Sequence, residues 1–215
     1  MGNPVRKIKS RTRGVRGHFF SLKNDRRVNY ESLNEQSLMK VLETDPNIIE
    51  YCEQPLQLRI VWKGKEYTYT PDTLSKNIFS ESVLYEVKPT EDLESDDGRL
   101  ANKFAVAEEY CLERGWKFKV ITEDIRTSSD YRRADMLLPH LMNPSIDMGL
   151  ADQIFHLIHN AGMLRISDIS NTLSWANPRY CTLLHLLGKG LLIEKPYGSF
   201  ELETEIRVFP HNVSE

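Results

Sequence analysis

Apolar and polar residues alternate along several segments in the first half of the chain. Residues 55–62 and 65–74 alternate on both sides of a Lys-Gly pair, which is typical of two strands joined by a turn. Residues 82–89 and 116–122 are short runs rich in β-branched and aromatic side chains, and we predict a third and a fourth strand there. This pattern indicates a β-sheet in this half of the chain.

Two helices are predicted beside these strands. Ser32 and Glu35 have the spacing of a capping box, so the first helix should begin at Ser32 and continue to about Glu43. A second helix is predicted over residues 99–114, because apolar side chains recur there every three to four residues. Its apolar stripe consists of Leu100, Phe104, Ala107 and Cys111. The predicted order of elements is therefore α-β-β-β-α-β.

The pattern changes after residue 140. Three helical segments are predicted between about residues 150 and 188, and two short strands over residues 191–195 and 199–209 follow them. Three helices followed by a hairpin is the element order of a winged helix. We therefore predict a winged-helix-like domain over residues 146–215.

This C-terminal part has an unfavourable charge for reading DNA. From residue 147 onwards it carries five lysines and arginines and eight acidic residues, whereas a DNA-reading helix is usually basic. By their spacing, four leucines of the third helix cannot all face one core, so we expect some of them to be exposed for a protein partner. These are Leu183, Leu184, Leu186 and Leu187. Both DNA binding and protein binding stay open for this part of the chain.

The net charge of −3 conceals an asymmetry between the N-terminus and the rest of the chain. Residues 1–30 carry nine lysines and arginines against one acid, and the remainder carries nineteen against thirty. We interpret residues 1–30 as a basic arm that reaches a polyanion, although a solvated tail has the same composition. The arginines that we expect to contact DNA phosphates are Arg11, Arg13, Arg16, Arg26 and Arg27.

Composition excludes several classes of protein. The three cysteines lie far apart without a Cys-x-x-Cys pair, so we expect neither a disulfide framework nor a zinc clip, and a reducing, cytoplasmic compartment. Because the chain has no run of about 18 apolar residues, we expect no membrane span. The first residues also lack the apolar core of a secretory signal.

Two acids and a lysine fall at the ends of predicted strands. Asp72 lies near the end of one strand, and Glu86 and Lys88 lie two residues apart near the end of the next, so these two share a face. If the strands pair, the two carboxylates come close and repel each other, and a divalent cation removes that penalty. Hard Mg²⁺ prefers carboxylate and carbonyl oxygens. Lys88 can then orient a water or offset charge on a phosphate in the transition state.

Glu35 is a further candidate for the same site. It continues the apolar stripe of the first helix, which should face the sheet, and an acid in such a position needs a partner. The stripe consists of Leu38, Met39 and Leu42. A metal held by Asp72 and Glu86 would be such a partner. A turn, a surface ion pair or a capping glutamate explains each acid alone, but their combination in this order favours a metal site.

The order of a helix acid, a strand acid and an E-x-K strand resembles the PD-(D/E)xK nucleases of the restriction-endonuclease-like fold. The motif reads Pro71-Asp72 and then Glu86-Val87-Lys88, with thirteen residues between the two acids. The surrounding segments are similar to the N-terminal domain of TnsA, the transposon-end endonuclease of cut-and-paste transposons. These segments are SLNE (32–35), EQPLQL (53–58), YTPDTL (69–74) and YEVKP (85–89). The resemblance covers about residues 10–125, within a nuclease domain that we place at residues 31–140.

The resemblance implies a Mg²⁺-dependent DNA endonuclease, with Mn²⁺ as a substitute, that nicks the 5′ ends of a transposon. The catalytic residues it implies are Glu35, Asp72, Glu86 and Lys88, and the metal ligands are Asp72, Glu86, the Val87 carbonyl and Glu35. The implied partners are transposon-end DNA, an integrase-like transposase that cuts the 3′ ends and an ATPase regulator. The family also carries a winged-helix-like tail.

Two alternatives stay open on the sequence alone. A stand-alone restriction or repair nuclease of the same fold should cut DNA without any partner. A non-catalytic winged-helix regulator with a relic nuclease domain has no reason to retain Asp72, Glu86 and Lys88 together.

Overall fold

The structure, a computed structural model, describes residues 4–5, 15–142, 146–173 and 177–210. Its contacts group into two compact units, which we call unit 1 and unit 2. Unit 1 comprises Met1–Glu43 and Asn47–Thr127, and unit 2 comprises Thr44–Pro46 and Ser128–Glu215. Within the described ranges, no helix is both long enough and apolar enough to cross a membrane.

Unit 1 combines strands and helices. Its strands are β1 (Gly17–Ser21), β2 (Arg26–Tyr30), β3 (Ile48–Glu53), β4 (Leu58–Trp62), β5 (Lys65–Tyr69), β6 (Thr73–Asn77), β7 (Ser82–Val87) and β8 (Lys117–Ile121). Its helices are α1 (Leu33–Thr44, whose last residue groups with unit 2), α2 (Thr90–Glu94) and α3 (Arg99–Leu112), followed after β8 by a 3-10 turn at Glu123–Thr127.

A four-stranded mixed sheet with the strand order β3-β6-β7-β8 forms the centre of unit 1. Strands β3, β6 and β7 pair antiparallel, and β8 pairs parallel to β7. Helix α1 precedes β3, and α3 connects β7 to the parallel β8, as such a crossover requires. The predicted α-β-β-β-α-β order and the mixed α/β class are thus confirmed, and they are consistent with a restriction-endonuclease-like core.

The strands that fill this order differ from the predicted ones. Residues 65–74 form two strands, because β5 ends at Tyr69 and β6 begins at Thr73 in another sheet. Pro71 between them has no N–H to donate to a ladder, so the pairing is interrupted there. The predicted hairpin is therefore the separate β4–β5 pair, and the unpredicted strand β3 takes its place beside β6.

Apolar cores cover both faces of the central sheet. On one face, Tyr85 and Val87 pack with buried side chains of α1. On the other face, Leu84 packs with side chains of the β4–β5 hairpin and of α3. The hairpin and α3 cover the face that bears Glu86 and leave Glu86 only 2% exposed.

Residues 17–30 are folded as the antiparallel β1–β2 hairpin, so the prediction of a basic arm is wrong for these residues. Val28 and Tyr30 are buried in the same core as Leu38 and Met39 of α1. Their alternation with polar residues is the same period-two pattern that identified the other strands. The high charge of the segment concealed this pattern.

Unit 2 is built around a cluster of helices and a small sheet. Apart from Thr44–Pro46, its elements are α4 (Ser129–Leu141), α5 (Met148–Ala161), β9 (Leu164–Arg165), α6 (Ile166–Leu173), α7 (Asn177–Gly188), β10 (Leu192–Lys195) and β11 (Glu205–Val208). The antiparallel strands have the order β10-β11-β9. The assignment of this unit to the winged-helix class stays a prediction. The predicted domain boundary near residue 140 separates α4 from this unit, whereas the contacts of α4 group it with unit 2.

All four leucines of α7 are buried, so the prediction that some of them are exposed is wrong. They are Leu183, Leu184, Leu186 and Leu187, none of them more than 3% exposed. Helix α7 is enclosed from several sides, since Leu137 of α4 and Ile154 and Ile158 of α5 belong to the same core. A helix that is apolar around most of its circumference is a central helix of its unit.

Candidate active site

Strand pairing brings the predicted site residues together. Asp72 lies directly before β6, and its backbone N–H donates to the carbonyl of Tyr85 over 3.0 Å. The side chain of Asp72 turns back along β7, where its Oδ2 accepts a 2.7 Å hydrogen bond from the N–H of Val87. Glu86 and Lys88 flank Val87 in the chain. The two predicted carboxylates and the lysine therefore belong to one group of contacting residues.

The ammonium group of Lys88 lies among the oxygen atoms of this group. Its Nζ is 2.8 Å from Oε1 of Glu86 and 3.8 Å from Oδ2 of Asp72. It also donates a 3.0 Å hydrogen bond to the Val87 carbonyl. Two carboxylates and one backbone carbonyl thus face a single cation.

Tyr69 is part of the site, although it is not among the residues predicted for it. It is only 2% exposed, and its hydroxyl donates a 2.9 Å hydrogen bond to Oε2 of Glu86. Burial and then the charge of Glu86 raise the pKa of Tyr69, so the phenol stays a proton donor. The signal in the sequence was its position as the last residue of an alternating strand, three residues before Asp72.

Glu35 forms the predicted capping box at the start of α1. Ser32 Oγ accepts a 3.1 Å hydrogen bond from the backbone N–H of Glu35 and donates one of 2.9 Å to its carboxylate. The other carboxylate oxygen accepts from the N–H of Glu31 over 3.0 Å. Burial raises the pKa of Glu35, whereas these hydrogen bonds and the charge of Lys88 lower it. Glu35 is thus both a helix cap and an electrostatic neighbour of the site.

The charges of the site are strongly coupled. Burial and the nearby charge of Glu86 raise the pKa of Asp72, and Lys88 compensates only in part. Burial acts to lower the pKa of Lys88, but Asp72 and Glu86 together outweigh it, so the pKa of Lys88 is raised. A cation beside Asp72 favours its ionised form, and the lysine stays protonated at neutral pH.

A cleft of about 430 Å³ contains the whole group. Its walls include Glu35, Tyr69, Asp72, Glu86, Val87 and Lys88, together with Asn34, Arg16 and Lys103. Asn34 is 8% exposed, and its amide oxygen is buried without a hydrogen-bond partner in the described part of the chain. Such an orphaned oxygen in a cleft of carboxylates indicates a site suited to a cation.

The oxygen atoms of this cleft fit a hard divalent metal. No group of three His, Cys, Asp or Glu side chains among the described residues is arranged to hold a metal by itself. A metal here would therefore rely on Asp72, Glu86 and the Val87 carbonyl, with water completing its shell, as is usual for Mg²⁺. The described residues that form the walls of the cleft include no soft ligand, which disfavours zinc or copper.

The five arginines predicted to contact DNA lie in different surroundings. Arg11 and Arg13 lie outside the described residues. Arg16 lines the cleft, with its guanidinium 3.7 Å from Glu31. Arg26 makes two hydrogen bonds, of 2.9 and 2.7 Å, to the buried carboxylate of Glu53 and is thereby engaged within the fold. Arg27 is exposed on β2.

The mixed α/β fold, and the two carboxylates, lysine and backbone carbonyl gathered where two strands pair, are consistent with a nuclease domain. Residues 45–123 match the family model for the N-terminal domain of TnsA-like endonucleases. Over these residues the chain is similar to a TnsA-like endonuclease domain, a nuclease related to a transposase subunit, and the resemblance seen in the sequence is confirmed there. Asp72, Glu86 and Lys88 lie inside the matched range, and Glu35 precedes it. No curated protein matches the chain significantly.

Proposed function

We propose that this chain is a Mg²⁺-dependent DNA endonuclease that nicks the 5′ ends of a transposon during cut-and-paste transposition. The observation that carries the proposal is the convergence of Asp72, Glu86 and the Val87 carbonyl on the single ammonium group of Lys88. Oxygens that already surround one cation are arranged to accept a divalent one. The TnsA-like match supports DNA as the substrate.

Asp72, Glu86 and the Val87 carbonyl would hold Mg²⁺, or Mn²⁺ in its place, and Glu35 would add negative charge beside them. The bound ion supplies Lewis-acid chemistry, which lowers the pKa of a water and offsets charge on the phosphate. Tyr69 keeps Glu86 oriented through its hydrogen bond. Released from the carboxylates, the flexible lysine side chain would position the attacking water. The new bond joins the water oxygen to phosphorus in line with the leaving oxygen, whose bond to phosphorus breaks.

The same proposal includes partners. An integrase-like transposase would cut the 3′ ends, and an ATPase regulator would control the reaction. We propose unit 2 as a winged-helix-like docking module for one of these proteins. Its acidic balance, five lysines and arginines against eight acids from residue 147 onwards, supports protein docking over DNA reading.

A nicking assay on supercoiled plasmid carrying the transposon ends tests the function. The purified chain is incubated with Mg²⁺, with and without the transposase partner, and nicked product is quantified. We expect nicking by the wild type, loss of it with Glu86→Gln, and retention with the matched control Glu66→Gln, since Glu66 is an exposed strand acid of the same unit. Equal nicking by all three proteins would refute the site. Strong nicking without the partner would favour a stand-alone nuclease.

A further inference from the structure

Two cations of α3 lie over two aromatic rings of β5. The Cζ of Arg99 is 4.6 Å from the ring centre of Tyr67, and the Nζ of Lys103 is 5.4 Å from the ring centre of Tyr69. The tyrosines are two residues apart on a strand, and the cations are four residues apart on a helix, so each pair shares a face. We call Arg99 and Lys103 the α3 cation pair.

The α3 cation pair connects the catalytic cleft to a second cleft. Lys103 lines the catalytic cleft together with Asp72 and Glu86. Lys103 and Arg99 both line a second cleft of about 390 Å³, and Lys88 lines both clefts. The two clefts therefore adjoin at Lys88, Asp92 and Lys103. Positive groups follow one another from the catalytic lysine out to Arg99.

The acids near the α3 cation pair form no direct ion pair with it in the described part of unit 1. The acids lining the second cleft are Asp92, Asp96 and Asp97. Asp96 accepts hydrogen bonds from backbone N–H groups at the start of α3, and Asp97 pairs with Lys63 over 2.9 Å. Asp92 is exposed, where solvent screens its charge. Neither Arg99 nor Lys103 forms an ion pair with a carboxylate among the described residues.

The surroundings of Lys103 favour an anionic ligand. Burial lowers the pKa of Lys103, and the charges of Lys88 and Arg99 lower it further, although Glu86 and Asp72 counteract this. An anion bound between these cations would relieve their mutual repulsion. The tyrosine rings hold the two side chains in place, so less of their freedom is lost when the anion binds.

We propose that Arg99 and Lys103 bind neighbouring backbone phosphates of the DNA strand that enters the catalytic cleft. The inference rests on the proposed function, because it assigns the path of that function's substrate. Residues i and i+4 of a helix are about 6 Å apart along its axis, so long side chains at these positions can reach two phosphates of one strand. An arginine at the outer position suits a phosphate because its planar fork donates two parallel hydrogen bonds.

The salt dependence of DNA binding tests the proposal. The full-length chain and its Arg99→Gln/Lys103→Gln variant are titrated with a fluorescein-labelled duplex oligonucleotide in EDTA over a series of NaCl concentrations. Each phosphate that the protein neutralises contributes about 0.9 to the slope of log Kd against log salt, so removing both cations should reduce the slope by about 1.8. The charge-conserving variant Arg99→Lys/Lys103→Arg should retain the wild-type slope.

The matched control is Arg114→Gln/Lys117→Gln, which removes the same two charges from the same unit. Arg114 also lies over an aromatic ring, 3.6 Å from the centre of Tyr110, but neither control residue lines either cleft. We expect its slope to equal that of the wild type. An unchanged slope in the Arg99/Lys103 variant, an equal reduction in the control, or no duplex binding by the wild type at low salt would each overturn the proposal.

The nicking assay separates this proposal from the proposed function. Nicking by the wild type, together with an unchanged salt slope in the Arg99/Lys103 variant, would support the nuclease function and refute the phosphate-binding role of the α3 cation pair. A reduced slope without any nicking, in the presence of the transposase, would support the phosphate-binding role and contradict the nuclease function. Thermal melts of each variant would show that a change in slope does not come from unfolding.

Discussion

Replacing Lys88 with methionine should destabilise the metal-free protein and abolish cleavage without abolishing metal binding. Methionine keeps most of the apolar stem but removes the ammonium that lies 2.8 Å from Glu86 and 3.8 Å from Asp72. Glu86 is only 2% exposed, so its charge would stay buried with the phenol of Tyr69 as its remaining described side-chain donor. The two acids would then repel each other without the neighbouring cation.

The size of the effect follows from the burial of the pair. Removing one partner of a buried ion pair costs about 3–5 kcal/mol, and we take about 3 kcal/mol because solvent screens the partly exposed Lys88. For a chain of this length each kcal/mol lowers Tm by about 2–4 °C, so the expected fall is about 6–12 °C. The pKa of Lys88 is raised, so its contribution is complete below the ordinary lysine pKa and is lost only as pH rises above about 10.5. The lysine itself therefore stays charged at both pH 6 and pH 8.

Thermal unfolding in EDTA and in Mg²⁺, combined with calorimetric titration of the metal, measures both parts of this prediction. Mg²⁺ at one hundred times its Kd should add about 2.7 kcal/mol of stability. The variant should bind Mg²⁺ at least as tightly as the wild type, because the ammonium no longer competes for the same oxygens. The control Lys117→Met removes an exposed pair with Glu81 that solvent screens, so its Tm should stay close to that of the wild type. Loss of metal binding in the Lys88 variant, or an unchanged Tm in EDTA, would refute the reasoning.

Three further changes probe the same unit. Burial and Glu86 raise the pKa of Asp72, so ionising it costs stability as pH rises above the ordinary Asp pKa. Asp72→Asn should therefore be more stable than the wild type at pH 7 in EDTA, with a flatter pH profile in thermal melts, and should not nick. Tyr69→Phe leaves one oxygen of Glu86 without its donor and should lower the free energy of unfolding by about 1.5–3 kcal/mol in urea titrations; an unchanged midpoint would show that the hydrogen bond contributes nothing. Deleting residues 1–14 should reduce the salt slope of DNA binding by about 0.9 for each phosphate that the segment neutralises, whereas an unchanged slope would make the segment a solvated tail.

The arrangement of the site could be predicted from the sequence because it depends on local rules. Residues i and i+2 of a strand share a face, which placed Glu86 beside Lys88, and pairing with the neighbouring strand placed Asp72 beside both. The capping box placed Glu35 at the start of its helix. Only the placement of Asp72 required a strand pairing, that of the strand after it with residues 82–87, and this pairing is present although the strand assignment was partly wrong.

The errors concern contacts between residues distant in sequence. Strand β3 has the sequence Ile-Ile-Glu-Tyr-Cys-Glu, which lacks strict alternation of apolar and polar residues. It is a strand because it pairs with β6 and contacts the β1–β2 hairpin. The leucines of α7 looked too many for one core because α4, which covers them, was assigned to the other domain. A charged residue can also occupy a buried position that the sequence pattern does not reveal. Glu43 is fully buried and accepts hydrogen bonds from Ser21 and Tyr51. The period of apolar residues and the spacing of charged residues in the sequence do not reveal such partners.

The segment from Tyr69 to Asp72 explains why the catalytic group lies where the chain changes sheets. Tyr69 ends β5 and holds Glu86 from one side, whereas Asp72 begins the approach to β6 and accepts the N–H of Val87 from the other. Pro71 ends the first ladder between them, so the chain can leave the β4–β5 hairpin and enter the central sheet within four residues. A one-residue slip of β6 against β7 would turn Asp72 to the opposite face and separate it from Glu86. The register of this strand pair therefore determines both the packing of the sheet and the distance between the two acids. We accordingly expect substitutions at Pro71 to reduce metal affinity, although Pro71 is not itself a metal ligand.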